Sequence, residues 1–563
     1  MSKLKKLLAI GLATVAATSA IAFTGCGGGE NFIKDGKTIN VRICKQGWGD
    51  DYFRAWAGAF EDLYSAEGYK INIVESSTSV EAQYVSNELA LGNKNGVDLY
   101  CSGQCTVARI VQVSLDEGFT IAADLSDVMN SKPINANGEE ESKTLLEKLE
   151  SGFAEQMTMN SNVAVETAYN GKWYTFPVVS STSSLVVNVP TLTSYGLEIP
   201  VTTNELLDCF DQIKNGNGVK GGSATTGVYP TVWAGKNAYN YWLTCFNIWY
   251  AQYSGKAAVD EFYDMDNCDT NEKILALYDK TQNLGMYNSL KVMEVMLDLD
   301  NAPNGTIGWE HGKAQNSLLT NQAVFMANGE WLQNEMGANY ASQSGNMKMI
   351  KMPVISALGV KLGLDGNNGA DADKCETVLS AVIKAIDAGD DNAKIVTDIA
   401  AAHGVTLDAT AQVEEVRKAR GIYTQGGTTS QIILNPYSDV LDIAKLFLRF
   451  IASDDGINYL YTYSTAKSAF KPIDENVIDY ANASGFLQSC AEISNRPFAT
   501  AITGLTRPGA KRTTTTIGTW NNTIFSGVDW IKAMGQMSTS SDGLTAAKLM
   551  DEELRIVKQK LGL

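Results

Sequence analysis

The pattern of apolar and polar positions predicts alternating strands and helices in the first hundred residues. Residues 38–43 and 69–74 alternate and are β-branched, which predicts two strands. Aromatic and aliphatic residues recur at helical spacing over 51–64, and 80–91 predicts a second helix before a short apolar run at 97–100. This order is typical of a parallel α/β sheet, in which ligands bind beyond the carboxyl ends of the strands.

Later segments continue the mixed pattern of strands and helices and contain one region of different amino-acid composition. Thr202 and Glu205 form a capping box that predicts a helix through Ile213. Residues 440–451 carry one apolar helix face. Between 363 and 420 Asp, Ala and Gly dominate, which we interpret as an acidic surface insertion with solvated helices at 376–387 and 411–420.

The N-terminus has the pattern of a secretory signal. Three lysines precede an apolar stretch over 7–22, which is too short for a comfortable membrane span. Phe23-Thr24-Gly25-Cys26, followed by three glycines, is similar to a bacterial lipobox. We therefore expect a signal peptide at 1–25, acylation of Cys26 and a linker over 26–37. No later apolar run is long enough to predict a second anchor.

Composition predicts a large, folded and strongly acidic protein. The 563 residues are 44% hydrophobic and 19% charged, which is enough to bury a core in two or more domains. Loss of the signal peptide removes three lysines and no acid, so the net charge changes from −18 to −21. Such a charge is repelled by nucleic acid and by anionic membrane surfaces, so we expect no nucleic-acid partner.

Catalytic and metal-binding signatures are scarce. The two histidines, His311 and His403, are too few for a histidine-based metal cluster, and no phosphate-binding or nucleophile motif occurs. Residues 365–376 match a calcium-binding loop only in part, because Ala370 occupies the position that needs glycine, and a plain polar loop is favoured. We expect no enzyme activity, no cofactor and no metal site. The eight cysteines after Cys26 are scattered, and we expect mostly free, buried thiols.

Aromatic residues in loops are the more informative signal. A Trp or Tyr ring covers the flat C–H face of a sugar, while neighbouring polar groups hydrogen-bond its hydroxyls. Several rings here lie beside small or polar residues, namely Trp48, Trp233, Trp309, Trp331 and Trp520. This pattern predicts a carbohydrate site.

Four stretches resemble the sugar-binding group of extracellular solute-binding proteins of ABC importers (family 1), which includes the maltose-binding proteins. They are Phe176-Pro177 with Leu185-Val186-Val187-Asn188 and Gly196-Leu197-Glu198-Ile199-Pro200; Asn321-Gln322-Ala323-Val324-Phe325-Met326-Ala327-Asn328-Gly329-Glu330-Trp331; Ala444-Lys445-Leu446-Phe447-Leu448-Arg449-Phe450-Ile451-Ala452-Ser453; and Thr519-Trp520 leading to Trp530. The second stretch, similar to the family's G-x-x-A-M…G-x-W motif, is the most specific.

The resemblance implies an α/β fold of two lobes of the type II periplasmic-binding-protein kind, with ligand in the cleft between them. Crossover strands near 178–187 and 423–432 would form the hinge. The first lobe would contain 38–183 and 433–482, and the second 188–422 and 483–563, including the acidic insertion.

The resemblance also suggests ligand-binding residues. Trp331 is similar to the ring of G-x-W, Tyr239 to an aromatic cleft residue and Trp520 to a C-terminal ring. Further candidates lie after the first and third strands, in the aromatic loops and at the second crossover. The whole predicted set is Trp48, Asp51, Ser102, Gln104, Trp233, Tyr239, Trp309, Glu330, Trp331, Tyr423 and Trp520.

Together these features predict a monomeric, lipid-anchored protein on the outer face of a bacterial membrane that captures a carbohydrate, expected to be an oligosaccharide, and delivers it to the permease subunits. Three alternatives remain: the same fold with a polyamine or peptide ligand, a secreted glycan hydrolase with two carboxylates across a cleft, and a purely structural lipoprotein.

Overall fold

A computed structural model describes residues 32–44, 47–77, 82–102, 105–215, 227–236, 241–341, 345–426, 431–515, 523–525, 528–529, 535–540 and 542–563. The predicted signal peptide, Cys26 and the linker up to residue 31 lie outside these residues.

Thirteen strands occur in the described part of the chain. They are β1 (Thr38–Cys44), β2 (Lys70–Ser77), β3 (Leu99–Ser102), β4 (Phe176–Pro177), β5 (Ser181–Asn188), β6 (Tyr229–Thr231), β7 (Ala323–Gly329), β8 (Met347–Ile350), β9 (Ile422–Gly426), β10 (Gln431–Leu434), β11 (Thr500–Ile502), β12 (Thr523–Phe525) and β13 (Val528–Asp529).

The α-helices of the same residues surround these strands. They are α1 (Asp51–Leu63), α2 (Ala82–Leu89), α3 (Val107–Glu117), α4 (Ser126–Met129), α5 (Leu145–Lys148), α6 (Phe153–Met157), α7 (Val189–Ser194), α8 (Thr203–Asn215), α9 (Tyr241–Ser254), α10 (Lys256–Asp264), α11 (Asn271–Ala276), α12 (Leu284–Met296), α13 (His311–Leu319), α14 (Leu332–Ala341), α15 (Ala357–Lys361), α16 (Ala372–Asp387), α17 (Asn392–His403), α18 (Glu414–Gly421), α19 (Leu441–Ile451), α20 (Asp454–Ser464), α21 (Gly485–Ser494) and α22 (Ala546–Lys560).

The first sheet has the strand order β2-β1-β3-β10-β4. Strands β1, β2 and β3 run parallel, whereas β10 is antiparallel to both β3 and β4. Both faces of β1 are buried: Ile39, Val41 and Ile43 pack in one apolar cluster, and the alternate residues, including Arg42, are also covered. Such burial on both faces is typical of parallel sheets covered by helices.

The second sheet has the order β11-β9-β5-β7-β6, and β8 pairs with β5 beyond the end of β9. Strand β5 is antiparallel to β7, β8 and β9, while β6 is parallel to β7. All seven residues of β7 are buried. Strands β12 and β13 form a separate antiparallel pair.

The predicted helix at 51–64 is confirmed as α1, which buries Phe53, Trp56 and Phe60 at the expected spacing. Its rings pack edge to face against Phe447 of α19, with centroids 5.7 Å and 5.2 Å from Phe53 and Phe60. The two sheets have separate apolar cores, so each lobe is built around a core of its own.

The acidic region at 363–420 differs from the expectation of solvated helices. Helix α16 buries one complete face in the core of the second sheet, and α17 and α18 each bury a shorter face. The reason is that aliphatic residues recur at positions 378, 379, 382, 383 and 386, which is helical spacing without any aromatic residue. Most acidic side chains of these helices lie on the opposite, more exposed faces, whereas Asp365 before α16 is buried.

The chain passes between the two sheets at the short segment between β4 and β5. Strand β5 joins the second sheet from its first residue, because Ser181 pairs with Gly426 of β9. Ser180 N–H donates to the carbonyl of Lys467 at 2.8 Å, and Ala469 N–H donates to the carbonyl of Val178 at 3.0 Å. A third stretch of chain thus lines this crossing. The second crossing, at 427–430, lies outside the described residues.

Within the described ranges no helix is long and apolar enough to cross a bilayer. Six cysteines of these ranges are free and buried, namely Cys105, Cys209, Cys245, Cys268, Cys375 and Cys490, and Cys101 is also buried. Burial raises the pKa of the Cys105 thiol to about 12, so this thiol remains protonated at neutral pH.

Candidate functional site

Three parallel strands of the first sheet end at one edge, where ligands of such sheets are expected. The loop after β1 leads through Trp48 into α1, whose first residue is Asp51. The Asp51 side chain is exposed, whereas Trp48 is only 7% exposed and packs on the first core. Ser102 ends β3 and pairs with Gln431 of β10.

Trp331, just beyond the end of β7, lies across from this edge of the first sheet. This indole meets Trp48 edge to face, with ring centroids 6.0 Å apart and planes at 89°. Tyr241, at the start of α9, packs against the same indole at 5.6 Å and 55°. The half-buried Trp331 thus joins an aromatic cluster, Trp48–Trp331–Tyr241, to which both lobes contribute.

Two glycines permit this close approach. A Cβ atom on Gly329 would lie 2.2 Å from the Trp331 ring, so only glycine allows the indole to fold back over the end of β7. A Cβ atom on Gly47 would lie 2.8 Å from Glu335 Oε1 and 3.2 Å from Trp331 Cβ. The glycine of the G-x-W motif therefore has a steric function here.

Polar side chains lie next to the aromatic cluster. Gln315 Nε2 donates a hydrogen bond to Glu335 Oε2, and Gln315 itself is fully buried. Burial raises the pKa of Glu335 above its ordinary value, while Gln315 and His311 act in the opposite direction. The carboxyl of Glu335 thus lies one helical turn beyond Trp331 on α14, and the amide of Gln315 reaches it from α13.

Trp309 lies at the start of α13 on the same side of the second sheet. It is half-buried and packs against the cluster that also receives Tyr241. Lys313 Nζ stands 4.2 Å above the Trp309 ring, which is a cation–π geometry. The neighbouring Glu310 pairs with Lys236 at 2.5 Å, and both of these side chains are exposed.

Other predicted ligand residues are buried or lie outside the described residues. Trp233 is 6% exposed and packs on Trp242 with centroids 4.8 Å apart. Tyr423 is also 6% exposed and lies in an apolar cluster of the second sheet. Glu330 is 5% exposed and lines a small cavity beside the crossing strands. Gln104, Tyr239, Trp520 and the side chain of Ser102 lie outside the described residues.

Sequence reasoning missed Tyr241, Gln315 and Glu335 as site residues. Glu335 follows Trp331 by four positions, which is one turn into α14. Gln315 follows His311 by four positions on α13. Helical spacing could therefore have indicated both side chains. What the sequence could not show is that α13 and α14 place these two side chains in contact.

The loop considered for calcium binding uses its carboxylate internally. Asp365 accepts hydrogen bonds from the backbone N–H groups of Asn367, Gly369 and Asp371, at 2.8–3.0 Å. Burial opposes ionisation, but these three donors lower the pKa of Asp365 to about 2. Across the ranges that the structure covers, no group of three or more His, Cys, Asp or Glu side chains is placed to hold a metal ion.

Comparison with known proteins identifies the fold. No protein-family model matches the chain, and no curated protein sequence matches it. Many solved structures are similar over nearly their whole length, among them three solute-binding proteins. They are a chitin oligosaccharide binding protein (12% identity, TM-score 0.55, 94% of this chain and 100% of that one), a probable secreted solute-binding lipoprotein from Streptomyces coelicolor (11%, 0.54, 92% and 98%) and SBP RafE in complex with raffinose (12%, 0.52, 93% and 99%).

At these identities the likeness concerns the fold. The expected two-lobed α/β architecture is therefore confirmed, because the neighbours are solute-binding proteins and the two sheets of this chain correspond to two lobes. The aromatic cluster and the Glu335–Gln315 pair lie where those lobes meet.

Proposed function

We propose that this chain is the substrate-binding lipoprotein of an ABC importer, which captures a carbohydrate, expected to be an oligosaccharide, and delivers it to a membrane permease. The observation that carries the proposal is the cluster Trp48–Trp331–Tyr241, in which rings from both lobes meet beside polar side chains. The fold shared with sugar-binding neighbours supports the same conclusion.

The chemistry of the cluster suits a sugar. A pyranose ring offers C–H faces to an indole or phenol ring, and its hydroxyls need donors and acceptors at the rim. Glu335 supplies a carboxyl group four residues beyond Trp331, and the hydrogen bond from Gln315 orients that group. A ligand between the lobes would replace the ring contact of Trp48 and Trp331 with sugar–ring contacts on each side.

Capture requires a change in lobe arrangement and no bond cleavage. A ligand that contacts both lobes stabilises the closed arrangement by its differential affinity for that state. The chain passes between the sheets through short segments, such as 178–180, which can absorb the rotation. The permease would then recognise the closed shape.

The location follows from the N-terminal sequence. A signal peptide at 1–25, acylated Cys26 and a glycine-rich linker would hold the protein on the outer face of the membrane. The acidic body carries no charge pattern that would bind nucleic acid. We propose a monomer, since one chain supplies both walls of the site.

A second candidate is an amine ligand bound by the same fold. Glu335 places a carboxyl group beside Trp331 and Tyr241, and carboxylates with aromatic faces also bind ammonium groups. Burial raises the pKa of Glu335, which opposes the ionised carboxylate that an ammonium group would need. This feature favours the sugar.

A thermal-unfolding screen of the chain from residue 30 tests the proposal, with oligosaccharides, polyamines and peptides as probes. A ligand that binds only the folded state increases the free energy of unfolding, by about 2.7 kcal/mol at a ligand concentration of one hundred times Kd. The melting temperature therefore rises. We expect a rise with one glycan series, with the glycan recovered intact. A rise with amines or peptides alone would overturn the sugar assignment, and a cleaved glycan would indicate a hydrolase.

A further inference from the structure

A small cavity lies beside the crossing strands, and Glu330, the residue before Trp331, lines it. Its volume is about 20 Å³, which is room for roughly one water molecule. The walls come from both lobes: one part follows α20 in the first lobe, and the other part belongs to β7 and α21 in the second. The lining residues are Glu330, Tyr461, Thr465, Lys467, Tyr480, Leu487, Cys490, Ala491 and Ser494.

The carboxyl group of Glu330 faces this cavity. The side chain is 5% exposed, and its buried Oε1 has no hydrogen-bond partner among the described residues. Its backbone N–H donates to the carbonyl of Thr182 at 3.1 Å. Thr182 belongs to β5, two residues beyond the crossing segment that ends at Ser180. Glu330 is therefore fixed to the strand that connects the lobes.

The positive charge nearest this cavity is already engaged. Lys467 Nζ pairs with Glu150 at 3.1 Å, and Lys471 pairs with the same carboxylate at 3.3 Å. Lys467 also lies in the segment whose carbonyl accepts from Ser180, so it is tied to the crossing as well. Lys467 therefore attracts the carboxyl group of Glu330, but its ammonium group is already paired with Glu150.

The remaining titratable groups that face Glu330 are neutral at physiological pH. Burial raises the pKa of Tyr461 to about 12, and it raises the pKa values of Tyr423, Tyr480 and Cys490 further above their ordinary values. They belong to α20, β9, the turn before α21, and α21. None of them changes charge between pH 5 and 9, so Glu330 is the group of this cavity that can do so.

Burial also acts on Glu330 itself. Loss of hydration raises its pKa from 4.5 to about 7, although Lys467 and two backbone hydrogen bonds oppose the shift. A cavity that holds about one water molecule cannot replace the hydration shell of a carboxylate. Ionisation of Glu330 therefore favours any arrangement of the lobes that exposes its buried carboxyl group to water.

We propose that Glu330 is a proton-sensitive latch at the hinge. In its neutral form it stabilises the lobe arrangement in which Trp48 contacts Trp331, and loss of its proton favours an arrangement in which the lobes move apart at the cavity. The sign follows from linkage: the arrangement that buries the carboxyl binds the proton more tightly, so rising pH shifts the population away from it. This inference concerns the ligand-free protein and does not depend on the identity of the ligand.

Small-angle X-ray scattering of the ligand-free chain from residue 30 tests the latch at pH 5.5 and pH 8.5. We expect the wild-type protein to have a larger radius of gyration at pH 8.5, with a transition midpoint near pH 7. Glu330→Gln, which is neutral at both pH values, should keep the pH 5.5 dimensions throughout. Circular dichroism at each pH checks that every variant remains folded.

Glu553→Gln is the matched control. Glu553, on α22, is fully buried, and burial raises its pKa to about 8, so it titrates in the same range. Its helix packs on α11 and α12 of the second lobe, and Glu553 lies near Arg512. We expect this variant to expand with pH as the wild type does. Wild-type dimensions that do not change with pH, or an equal expansion in Glu330→Gln, would overturn the proposal.

Discussion

Two neighbouring residues at the end of β7 enter unlike environments. Trp331 joins an aromatic cluster with Trp48 and Tyr241, on the side where the parallel strands of the first sheet end. Glu330 instead lines a small cavity next to Lys467 and Tyr461, and its carboxyl oxygen Oε1 is buried there. Both positions lie at the junction of the lobes, yet one contact is apolar and the other is an incompletely satisfied polar site.

This difference indicates that Trp331 and Glu330, which follow the same strand, have different functions. Ring contacts at Trp331 are weak individually and can be exchanged for a ligand at little loss. A buried carboxyl group with an unpartnered oxygen is sensitive to any opening that admits water. We therefore expect the Trp331 side to determine ligand affinity, and the Glu330 side to determine how pH affects stability and lobe arrangement.

The largest expected effect is the loss of ligand affinity in Trp331→Ala. The substitution removes the ring that meets aromatic groups of both lobes, and we expect about a 100-fold weaker Kd, or roughly 2.7 kcal/mol. The fold should remain, because the half-buried indole contributes about 1–2 kcal/mol to stability. Isothermal titration with the glycan from the screen measures the first quantity, and urea unfolding measures the second.

Tyr437→Ala controls for the removal of a ring. Tyr437 is 45% exposed and packs edge to face on Phe119, 6.0 Å away, on the first lobe. Its loss should leave glycan affinity unchanged. Equal affinities for Trp331→Ala and the wild type would remove Trp331 from the site. They would also contradict the assignment of ligand affinity to the Trp331 side.

The next effect concerns the stability of Glu330→Gln as a function of pH. A carboxyl whose folded pKa is raised from 4.5 to about 7 destabilises the folded state progressively as pH rises through that interval. The neutral glutamine lacks this penalty. We expect the variant to be more stable than the wild type by about 2–3 kcal/mol at pH 8, and by almost nothing at pH 4.5. Urea unfolding at a series of pH values measures the difference.

Glu492→Gln is a suitable comparison, since Glu492 is an exposed residue of the adjacent helix α21. We expect its unfolding free energy to follow the wild-type pH profile. If Glu330→Gln follows that profile as well, the carboxyl group of Glu330 is hydrated in solution, and the contrast between the two sides of β7 is lost.

Much of the fold could be predicted from local patterns. The strand at 38–43, the helix at 51–64 and the Gly329-Glu330-Trp331 motif all express spacing or residue chemistry that acts over a few positions. Helix α16 shows the limit of this approach. Its acidic composition suggested a solvated helix, but aliphatic residues at helical spacing bury one face in the core. Composition averaged over a segment hides such a stripe.

The site itself depends on contacts that the sequence does not encode locally. Glu330 was expected to contact ligand because it precedes Trp331, but adjacent residues after a strand point in different directions, and its side chain lies in the hinge cavity. The pair Glu335–Gln315 joins two helices that are separated by a strand. Both features arise from tertiary packing, which no periodicity reveals.

The smallest expected effect tests how closely the lobes approach beside Trp331. Gly47→Ala introduces a Cβ atom 2.8 Å from Glu335 Oε1 and 3.2 Å from Trp331 Cβ. The carboxyl end can move, but the Trp331 Cβ is fixed by the backbone, so the loop after β1 must retreat by a few tenths of an ångström. We expect about tenfold weaker glycan binding, or roughly 1.4 kcal/mol, measured by isothermal titration.

Gly58→Ala separates this steric effect from the general effect of replacing glycine. Gly58 is exposed within α1, and a Cβ atom there would meet nothing within 4 Å. Its replacement should raise stability by about 0.5–1 kcal/mol, because alanine favours a helix, and should leave affinity unchanged. Wild-type affinity in Gly47→Ala would mean that the lobes do not approach at this point when ligand is bound. The contact between the Gly47 loop and Trp331 would then belong to the ligand-free arrangement alone.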